Sequence, residues 1–182
     1  MQCIILAGGF GTRLIEKTNT IPKPMIEIGN KPILWHIMKV YYHQGIKDFI
    51  ISCGYKAEII KKFFIDYYNT KNDIEITYDG KINILSKSSE KWNIKLIDTG
   101  LETDTGGRIK ALKKYILDDE FYVTYGDGLS NINLQKLYKF HLKEKSLVTL
   151  TSIKNPSRFG TLKINGNNKV ISFNEKSKKY DL

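Results

Sequence analysis

Cysteine is scarce in this sequence, which has only Cys3 and Cys53 among its 182 residues. Both lie in apolar, strand-like runs, where a free cysteine usually behaves as a small buried hydrophobic residue. We therefore expect no disulfide between them. A catalytic thiol is also disfavoured, because neither cysteine has the cationic, partly exposed surroundings that lower a thiol pKa.

Long hydrophobic runs are missing as well. No segment approaches the roughly 18 apolar residues of a membrane-spanning helix. The N-terminus also lacks a charged segment that leads into an apolar stretch of the signal-peptide type. We therefore expect a cytoplasmic protein without a membrane partner.

Arginine is rare too, although the chain is strongly basic. The formal net charge is +10, and nearly all of the positive charge is lysine, because Arg13, Arg108 and Arg158 are the only arginines. The lysines are scattered along the predicted helices and form no stripe with interleaved stacking aromatics. Scattered lysines are usually solvated, so no nucleic-acid partner is predicted.

Internal repeats and low-complexity linkers are also absent. With 182 residues, of which 41% are hydrophobic, the chain is long enough for one domain with a sizeable core. We predict a single domain over residues 1–182.

What the sequence does contain is a glycine-rich turn after its first apolar run. Cys3–Leu6 predicts a buried strand, and Ala7-Gly8-Gly9-Phe10-Gly11-Thr12-Arg13 follows it. Three glycines let the backbone turn its amide groups toward an anion, and Arg13 and Lys23 can bring two cations to one polyphosphate. The turn is not a Walker A loop, and Leu14 stands where a dinucleotide fingerprint needs its third glycine. A plain structural turn is the alternative, and the two cations favour binding.

Apolar periodicity predicts strands that alternate with helices along most of the chain. The predicted helices are Lys31–Gln44, Ala57–Tyr68, Gly106–Leu117 and Leu134–Lys145. After the first strand, the predicted strands are Asp48–Cys53, Ile74–Tyr78, Ile94–Ile97, Glu120–Tyr125, Leu147–Ile153, Thr161–Ile164 and Val170–Asn174. This alternation predicts an α/β fold with a mainly parallel sheet covered on both faces.

Two further segments place polar residues near predicted strand ends. Asp127 lies between Gly126 and Gly128, where the backbone can turn sharply and direct a carboxylate outward, although an ordinary Asp-Gly turn is the alternative. Thr103–Arg108 opens a predicted helix, for which an N-terminal cap is the simpler interpretation. Because ligands bind outside the carboxyl ends of strands in open α/β sheets, these segments can share one site with the glycine turn.

LAGGFGTRL followed by PKPMIEIGNKPILWHIM, with the later WNIKLIDTG, TGGRIK and TYGDG, resembles the signature of the sugar-phosphate nucleotidyltransferases. The resemblance runs from Met1 to about Lys176, and a whole family member would continue well beyond Leu182. It implies a Rossmann-like three-layer nucleotidyltransferase fold with a mainly parallel, mixed sheet. Within the family, the later motifs are most similar to the branch that uses CTP and glucose 1-phosphate.

The resemblance also implies roles for individual residues. Asp127 would hold Mg²⁺ and, with Arg13 and Lys23, carry catalysis, since magnesium binds through one or two carboxylates plus phosphate oxygens. Lys176 would bind the sugar phosphate, although Ser177 replaces the proline of the family's Glu-Lys-Pro segment. The implied nucleotide-binding residues are Leu6, Ala7, Gly8, Gly9, Phe10, Gly11, Thr12, Arg13, Lys23, Thr103, Arg108 and Gly126.

The implied function is transfer of a cytidylyl group from CTP to glucose 1-phosphate, for deoxysugar or surface-polysaccharide synthesis, by a homo-oligomeric enzyme. Another sugar-1-phosphate nucleotidyltransferase, using dTTP or UTP, is one alternative. A nucleotide-binding module without turnover is the other. It is motivated by the family's second metal-binding aspartate, which comes from a C-terminal region, and by Ile21, which stands where relatives commonly have a lysine.

Overall fold

A computed structural model describes residues 1–10, 21–86, 90–152 and 161–174 of the chain. Contacts between residues group the chain into two units, Met1–Leu134 and Gln135–Leu182. The first unit contains the central sheet, and the second contains most of one helix and a hairpin. The single domain predicted from the sequence stays a prediction.

The described elements follow one another in an order close to the predicted one. The strands are β1 (Gln2–Leu6), β2 (Glu27–Ile28), β3 (Lys31–Pro32), β4 (Asp48–Cys53), β5 (Ile74–Ile76), β6 (Ile82–Ile84), β7 (Asn93–Asp98), β8 (Phe121–Tyr125), β9 (Thr161–Ile164) and β10 (Val170–Asn174). The α-helices are α1 (Ile33–His43), α2 (Ala57–Lys71), α3 (Thr105–Ala111) and α4 (Leu134–Glu144). Short 3₁₀ helices span Lys23–Met25 and Lys113–Tyr115.

The first unit is built on a four-stranded sheet in the order β7-β4-β1-β8, in which every neighbouring pair is parallel. Ile4 in β1 lies opposite Ile50 on one side and Val123 on the other. All of β1 is buried. Continuous burial is typical of a parallel strand covered on both faces, which explains why the sequence reads as an unbroken apolar run here.

Helices cover both faces of this sheet. On one face, Cys3 and Ile5 share a core with the buried residues of α1 and with Ala57, Ile60 and Phe64 of α2. On the other face, Ile4 and Leu6 pack with Leu112, which follows α3. Alternate strand residues point to opposite faces, so one short strand serves both cores. The layers and the parallel sheet confirm the predicted Rossmann-like α/β fold.

Short antiparallel pairs are found beside the sheet and in the second unit. In the first unit β2 pairs with β3 and β5 pairs with β6, and in the second unit β9 pairs with β10. The β9–β10 pair closes through a turn at Asn165, whose side-chain oxygen accepts hydrogen bonds from the amides of Asn167 and Lys169. Among the described helices, none is long and apolar enough to cross a membrane.

Both cysteines are buried with free thiols. Burial raises the pKa of the Cys53 thiol to about 12, and it raises the pKa of the Cys3 thiol as well. The thiol is therefore the stable form at neutral pH, as the apolar setting of both residues predicts.

The helix predicted from Lys31 begins at Ile33, because Lys31–Pro32 pairs with β2, and the strand predicted to reach Tyr78 ends at Ile76. Two further predicted elements differ more from the structure. The helix predicted to reach Leu117 ends at Ala111, because the amide of Leu112 bonds to the carbonyls of Arg108 and Ile109 and the chain tightens into a 3₁₀ turn. The predicted strand Leu147–Ile153 is wrong over residues 147–152, and Ile153 lies outside the described residues. No described strand pairs with this segment, so its β-forming residues have no partner strand for backbone hydrogen bonds.

Candidate functional site

A cavity of about 490 Å³ lies at the carboxyl ends of the strands in the first unit. The turn after β1, the segment between β7 and α3, and the end of β8 with the residues beyond it line this cavity. The 3₁₀ helix that begins at Lys23 forms a further part of its wall. Ligands bind outside the carboxyl ends of strands in open α/β sheets, so the cavity has the expected position of a binding site.

The glycine turn directs a backbone carbonyl inward at Gly8. That carbonyl accepts hydrogen bonds from the amide of Tyr55 at 3.1 Å and from Arg108 Nη2 at 3.1 Å. No peptide bond of the described residues is cis, so the planar peptide that follows points the amide of Gly9 away from this carbonyl. Gly8 and Gly9 both line the cavity. The turn therefore offers an outward-facing donor, as an anion-binding turn requires.

A lysine and an aspartate face each other at the cavity. Lys23 Nζ lies 3.9 Å from Asp127 Oδ2, and the two side chains are 19% and 46% exposed. Pro22 is extended before the 3₁₀ helix, and Pro24 within it is buried, so the lysine backbone is held on both sides. The sequence predicts that Lys23 binds a polyphosphate, and the family resemblance implies that Asp127 holds Mg²⁺. The fold places these two side chains together.

Gly126 allows Lys23 and Asp127 to lie this close together. Its amide donates to the carbonyl of Leu6 at 2.9 Å, which extends the β1–β8 ladder by one residue. A Cβ atom on Gly126 would lie 3.0 Å from Pro24 Cγ and 3.3 Å from Ala7 Cβ. Without a side chain at this position, the chain beyond β8 packs directly on the 3₁₀ helix that presents Lys23.

The segment before α3 combines a helix cap with cavity-lining residues. Asp104 is the N-cap, and its Oδ1 accepts from the amide of Gly107 at 2.6 Å. The cap predicted from the sequence is therefore present. Thr103 and Asp104 line the cavity, so this segment also contributes to its wall.

Arg108 lies at the base of the cavity and is only 5% exposed. Its guanidinium donates to the carbonyls of Gly8, Cys53, Gly100 and Leu101 and to the hydroxyl of Thr99. The contact with nucleotide that the resemblance implies for Arg108 stays a prediction.

The cavity brings together most of the predicted site residues that the structure describes. Those that line it are Leu6, Ala7, Gly8, Gly9, Phe10, Lys23, Thr103, Arg108 and Asp127. Gly126 packs beside it, as described above. Gly11, Thr12, Arg13 and Lys176 lie outside the described residues, so their roles stay predictions.

Sequence reasoning missed several lining residues that adjoin the motifs. Leu101 and Glu102 precede Thr103, and Tyr125 precedes the Gly126-Asp127-Gly128 turn. Their adjacency to the motifs was the available signal. Tyr55 was also missed, although its ring lies 5.5 Å from that of the cavity-lining Phe10. Only the tertiary fold brings these two rings together.

The acidic residues at the cavity fit a divalent cation that is held mainly by a bound phosphate. The described residues contain no group of three or more histidine, cysteine, aspartate or glutamate side chains that could hold a metal ion by themselves. Asp127 supplies a partly exposed carboxylate at the cavity wall. Magnesium commonly uses one or two carboxylates and takes its other ligands from water and substrate phosphates, so Asp127 suits this mode.

The sheet, the glycine turn and the Lys23–Asp127 pair form a candidate anion-binding site at the strand ends. The chain matches the family model "Nucleotidyl transferase" over residues 2–182 and belongs to that family. It is 47% identical over 180 residues to glucose-1-phosphate cytidylyltransferase from Salmonella typhimurium, a match that covers 98% of this chain and 70% of that protein. It is also 47% identical over 165 residues to a probable glucose-1-phosphate cytidylyltransferase from Bacillus subtilis, covering 90% of this chain and 65% of the relative.

Solved structures support the same fold. HddC from Yersinia pseudotuberculosis, complexed with GMP-PN, matches with a TM-score of 0.66 and 29% identity over 98% of this chain and 70% of its own. UDP-glucose pyrophosphorylase, complexed with UDP-glucose, matches with a TM-score of 0.65 and 19% identity over 97% of this chain and 68% of its own. The second likeness concerns the fold alone.

Proposed function

We propose that this protein transfers a cytidylyl group from CTP to glucose 1-phosphate, giving CDP-glucose and pyrophosphate. The observation that carries the proposal is the convergence of the glycine turn, Lys23 and Asp127 on one cavity of a nucleotidyl transferase fold. The choice of CTP and glucose 1-phosphate rests on the 47% identity to glucose-1-phosphate cytidylyltransferase.

The proposed chemistry is a direct in-line displacement. An oxygen of the glucose 1-phosphate group attacks the α-phosphorus of CTP and forms a new phosphorus–oxygen bond. The bond from that phosphorus to the oxygen bridging to the β-phosphate breaks, and pyrophosphate leaves with the electron pair. No group on the protein forms a covalent bond in this route, so the residues act by positioning and by charge stabilisation.

The described residues divide this work between backbone and side chains. The outward-facing amide of Gly9 donates to the triphosphate, and Lys23 stabilises the charge that develops on the α-phosphate. Asp127 is the residue that would hold Mg²⁺, which supplies charge neutralisation on phosphate oxygens when bound. From the family resemblance, we add two roles to this proposal. Arg13 binds the triphosphate, and Lys176 binds the sugar phosphate.

The ion pair between Lys23 and Asp127 is compatible with both roles. A partly exposed pair of this kind stabilises a protein by only about 0–1 kcal/mol. Separation of the two side chains would therefore cost little, so Lys23 would be available to bind a phosphate and Asp127 to hold a metal ion, each a stronger partner of opposite charge.

Base selectivity tests the cytidylyl part of the proposal. With glucose 1-phosphate as acceptor, pyrophosphate release is measured for CTP, UTP, dTTP and GTP, and kcat/KM is expected to be highest for CTP. GTP is an informative competitor because the chain is also 38% identical to D-glycero-alpha-D-manno-heptose 1-phosphate guanylyltransferase from Campylobacter jejuni. A tenfold preference for another nucleotide would leave the reaction class intact and overturn the proposed base.

Three wider properties belong to the same proposal. We infer that the protein works in the cytoplasm, that it forms a homo-oligomer, and that its product enters deoxysugar or surface-polysaccharide synthesis. These inferences rest on the family resemblance and on the activity proposed above. Light scattering on the purified protein tests the oligomeric state, and a monomer at micromolar concentration would contradict it.

A further inference from the structure

Arg108 connects the ends of three neighbouring strands. Its Nη1 donates to the carbonyl of Cys53, the last residue of β4, at 3.3 Å, and to Thr99 Oγ1 and the Gly100 carbonyl, after β7, at 2.8 Å each. Its Nη2 donates to the carbonyl of Gly8, after β1, and to that of Leu101, at 3.1 Å each. These strands are adjacent in the order β7-β4-β1, so one side chain spans the base of the cavity.

The two terminal nitrogens of the guanidinium donate to neutral acceptors. Among the described residues, no carboxylate forms an ion pair with Arg108. Its charge is stabilised by four carbonyl groups and one hydroxyl, and it remains nine-tenths buried. A buried charge that donates to five acceptors fixes those acceptors, because leaving any of them or the guanidinium unpaired costs free energy.

The glycines around Arg108 leave space that its side chain occupies. A Cβ atom on Gly8 would lie 2.1 Å from Arg108 Nη1 and 2.6 Å from its Cζ. A Cβ atom on Gly54 would lie 2.7 Å from the same nitrogen. Gly100, whose φ of +91° favours glycine, turns its carbonyl to the guanidinium. The turn after β1 and the segment after β7 are therefore built around this arginine.

Arg108 also sets the direction of the amides that follow its acceptors. Because the Gly8 carbonyl is held inward, the amide of Gly9 must point away from the guanidinium. The same holds for Leu101 and the amide of Glu102. Both of these following residues line the cavity, so the arginine at its base orients two of its walls.

We propose that Arg108 is a positioning residue. It holds the glycine turn and the segment after β7 in the arrangement that binds the nucleotide, and it affects nucleotide binding through them. This inference rests on the proposed function for the identity of the ligand. The family resemblance implies instead that Arg108 contacts the nucleotide directly. A residue that contacts the base affects only ligands that have a base, whereas a residue that supports the phosphate-binding turn also affects ligands without one.

Binding of CTP and of inorganic tripolyphosphate, each with Mg²⁺, separates the two roles. Calorimetric titration is carried out on the parent chain, on Arg108→Lys and on Arg108→Met, with circular dichroism to establish folding. A lysine nitrogen cannot span both sets of acceptors, so both variants are expected to bind both ligands about 10- to 100-fold more weakly. Lys110→Met, which removes an exposed charge from the same helix, is the matched control and is expected to change binding less than threefold.

The pattern across the two ligands decides between the roles. If the Arg108 variants lose affinity for CTP and keep it for tripolyphosphate, the arginine reads the nucleoside directly and the positioning role is wrong. If the folded parent chain binds neither ligand, the proposed function fails.

A double-mutant cycle tests the positioning role of Arg108 without any ligand. Gly8→Ala is expected to lower the thermal midpoint strongly in the parent and much less in an Arg108→Ala background, because the Cβ atom would enter the space of the missing guanidinium. Gly54→Ala is the contrast, since its Cβ atom would also lie 2.7 Å from the Gly8 carbonyl and 2.8 Å from the Gly100 carbonyl. Most of its cost should remain in the Arg108→Ala background, because these two backbone clashes persist there. Equal costs for Gly8→Ala in the two backgrounds would overturn the inference.

Hydrogen exchange provides the same test if Arg108→Ala fails to fold. The amide of Tyr55 donates to the Gly8 carbonyl that Arg108 holds. In Arg108→Lys we expect this amide to exchange about tenfold faster or more, while amides in the middle of α2 keep their rates. Unchanged exchange at Tyr55 in that variant would contradict the proposed support of the turn.

Discussion

Lys23 and Asp127 show how two ordinary side chains become a site through their surroundings. Neither residue is deeply buried, and the 3.9 Å separation of their charged atoms makes only a weak ion pair. Their importance comes from position, since both line the cavity at the strand ends. The pair is therefore expected to matter for binding and turnover much more than for stability.

Substitution of Lys23 tests this difference. Lys23→Ala is expected to lower turnover by about 10²- to 10³-fold, the usual loss for one preorganised charge-stabilising donor, with little change in thermal midpoint. Lys47→Ala is the matched control, because this exposed lysine precedes β4 at the end of the sheet away from the cavity. Near-parental turnover in a folded Lys23→Ala variant would rule out the phosphate role.

The Cys53 thiol predicts a loss of stability at alkaline pH. Burial raises its pKa from the ordinary 9.0 to about 12, so the folded state keeps the proton that the unfolded chain loses above pH 9. The stabilisation is fully present below pH 9 and falls as the pH rises from 9 toward 12. At pH 10.5 the loss from this one group is about 2 kcal/mol.

Urea unfolding of the parent and of Cys53→Ala at pH 8 and pH 10.5 measures this loss. Cys3, Tyr41 and Tyr67 also have raised pKa values, so the parent and the variant should both lose stability. The fall in unfolding free energy should be smaller in Cys53→Ala, and the difference isolates the contribution of this thiol. Falls of equal size in both proteins would show that Cys53 does not titrate as described.

At the scale of elements, the contact between the end of β8 and the 3₁₀ helix at Lys23 depends on Gly126. In Gly126→Ala the new methyl would press on Pro24 and Ala7, at a cost of about 1–3 kcal/mol, and would displace the helix that presents the lysine. We expect turnover to fall about 10- to 100-fold, because small misplacements of a catalytic group are costly. Crystal structures of the variant and the parent, compared at Lys23, show the displacement directly.

Gly128→Ala is the control for the substitution at Gly126. A Cβ atom at Gly128 would meet nothing within 4 Å, so this variant should keep the parental thermal midpoint. If Gly126→Ala also kept the parental midpoint and turnover, the packing of the turn on the 3₁₀ helix would be unimportant for the site.

Local periodicity was enough to predict the elements of the central sheet, and it failed where a partner decides the structure. Asp48–Cys53 was predicted with the observed bounds, because its apolar run is buried on both faces. Residues 147–152 have similar β-forming side chains, yet no described strand pairs with them. A sequence window shows which side chains favour a strand, while hydrogen-bonding partners come from elsewhere in the chain.

For the whole molecule, the site was predictable where each motif follows a strand of a parallel sheet. The turn after β1 and Asp127 after β8 could be placed at one edge because neighbouring parallel strands end together. The environment of Arg108 could not be predicted, since its acceptors lie on segments up to 100 residues away in sequence. Burial of that side chain is a property of the assembled sheet.

Formation of CDP-glucose is the most direct test of the whole account. The protein is incubated with CTP, glucose 1-phosphate and Mg²⁺, and the nucleotides are separated by anion-exchange chromatography while pyrophosphate is measured in parallel. We expect CDP-glucose and pyrophosphate in equal amounts, over many turnovers, only when both substrates are present, and almost none from Lys23→Ala. No CDP-glucose from the folded parent, or release of CMP without a sugar product, would contradict the proposed cytidylyl transfer.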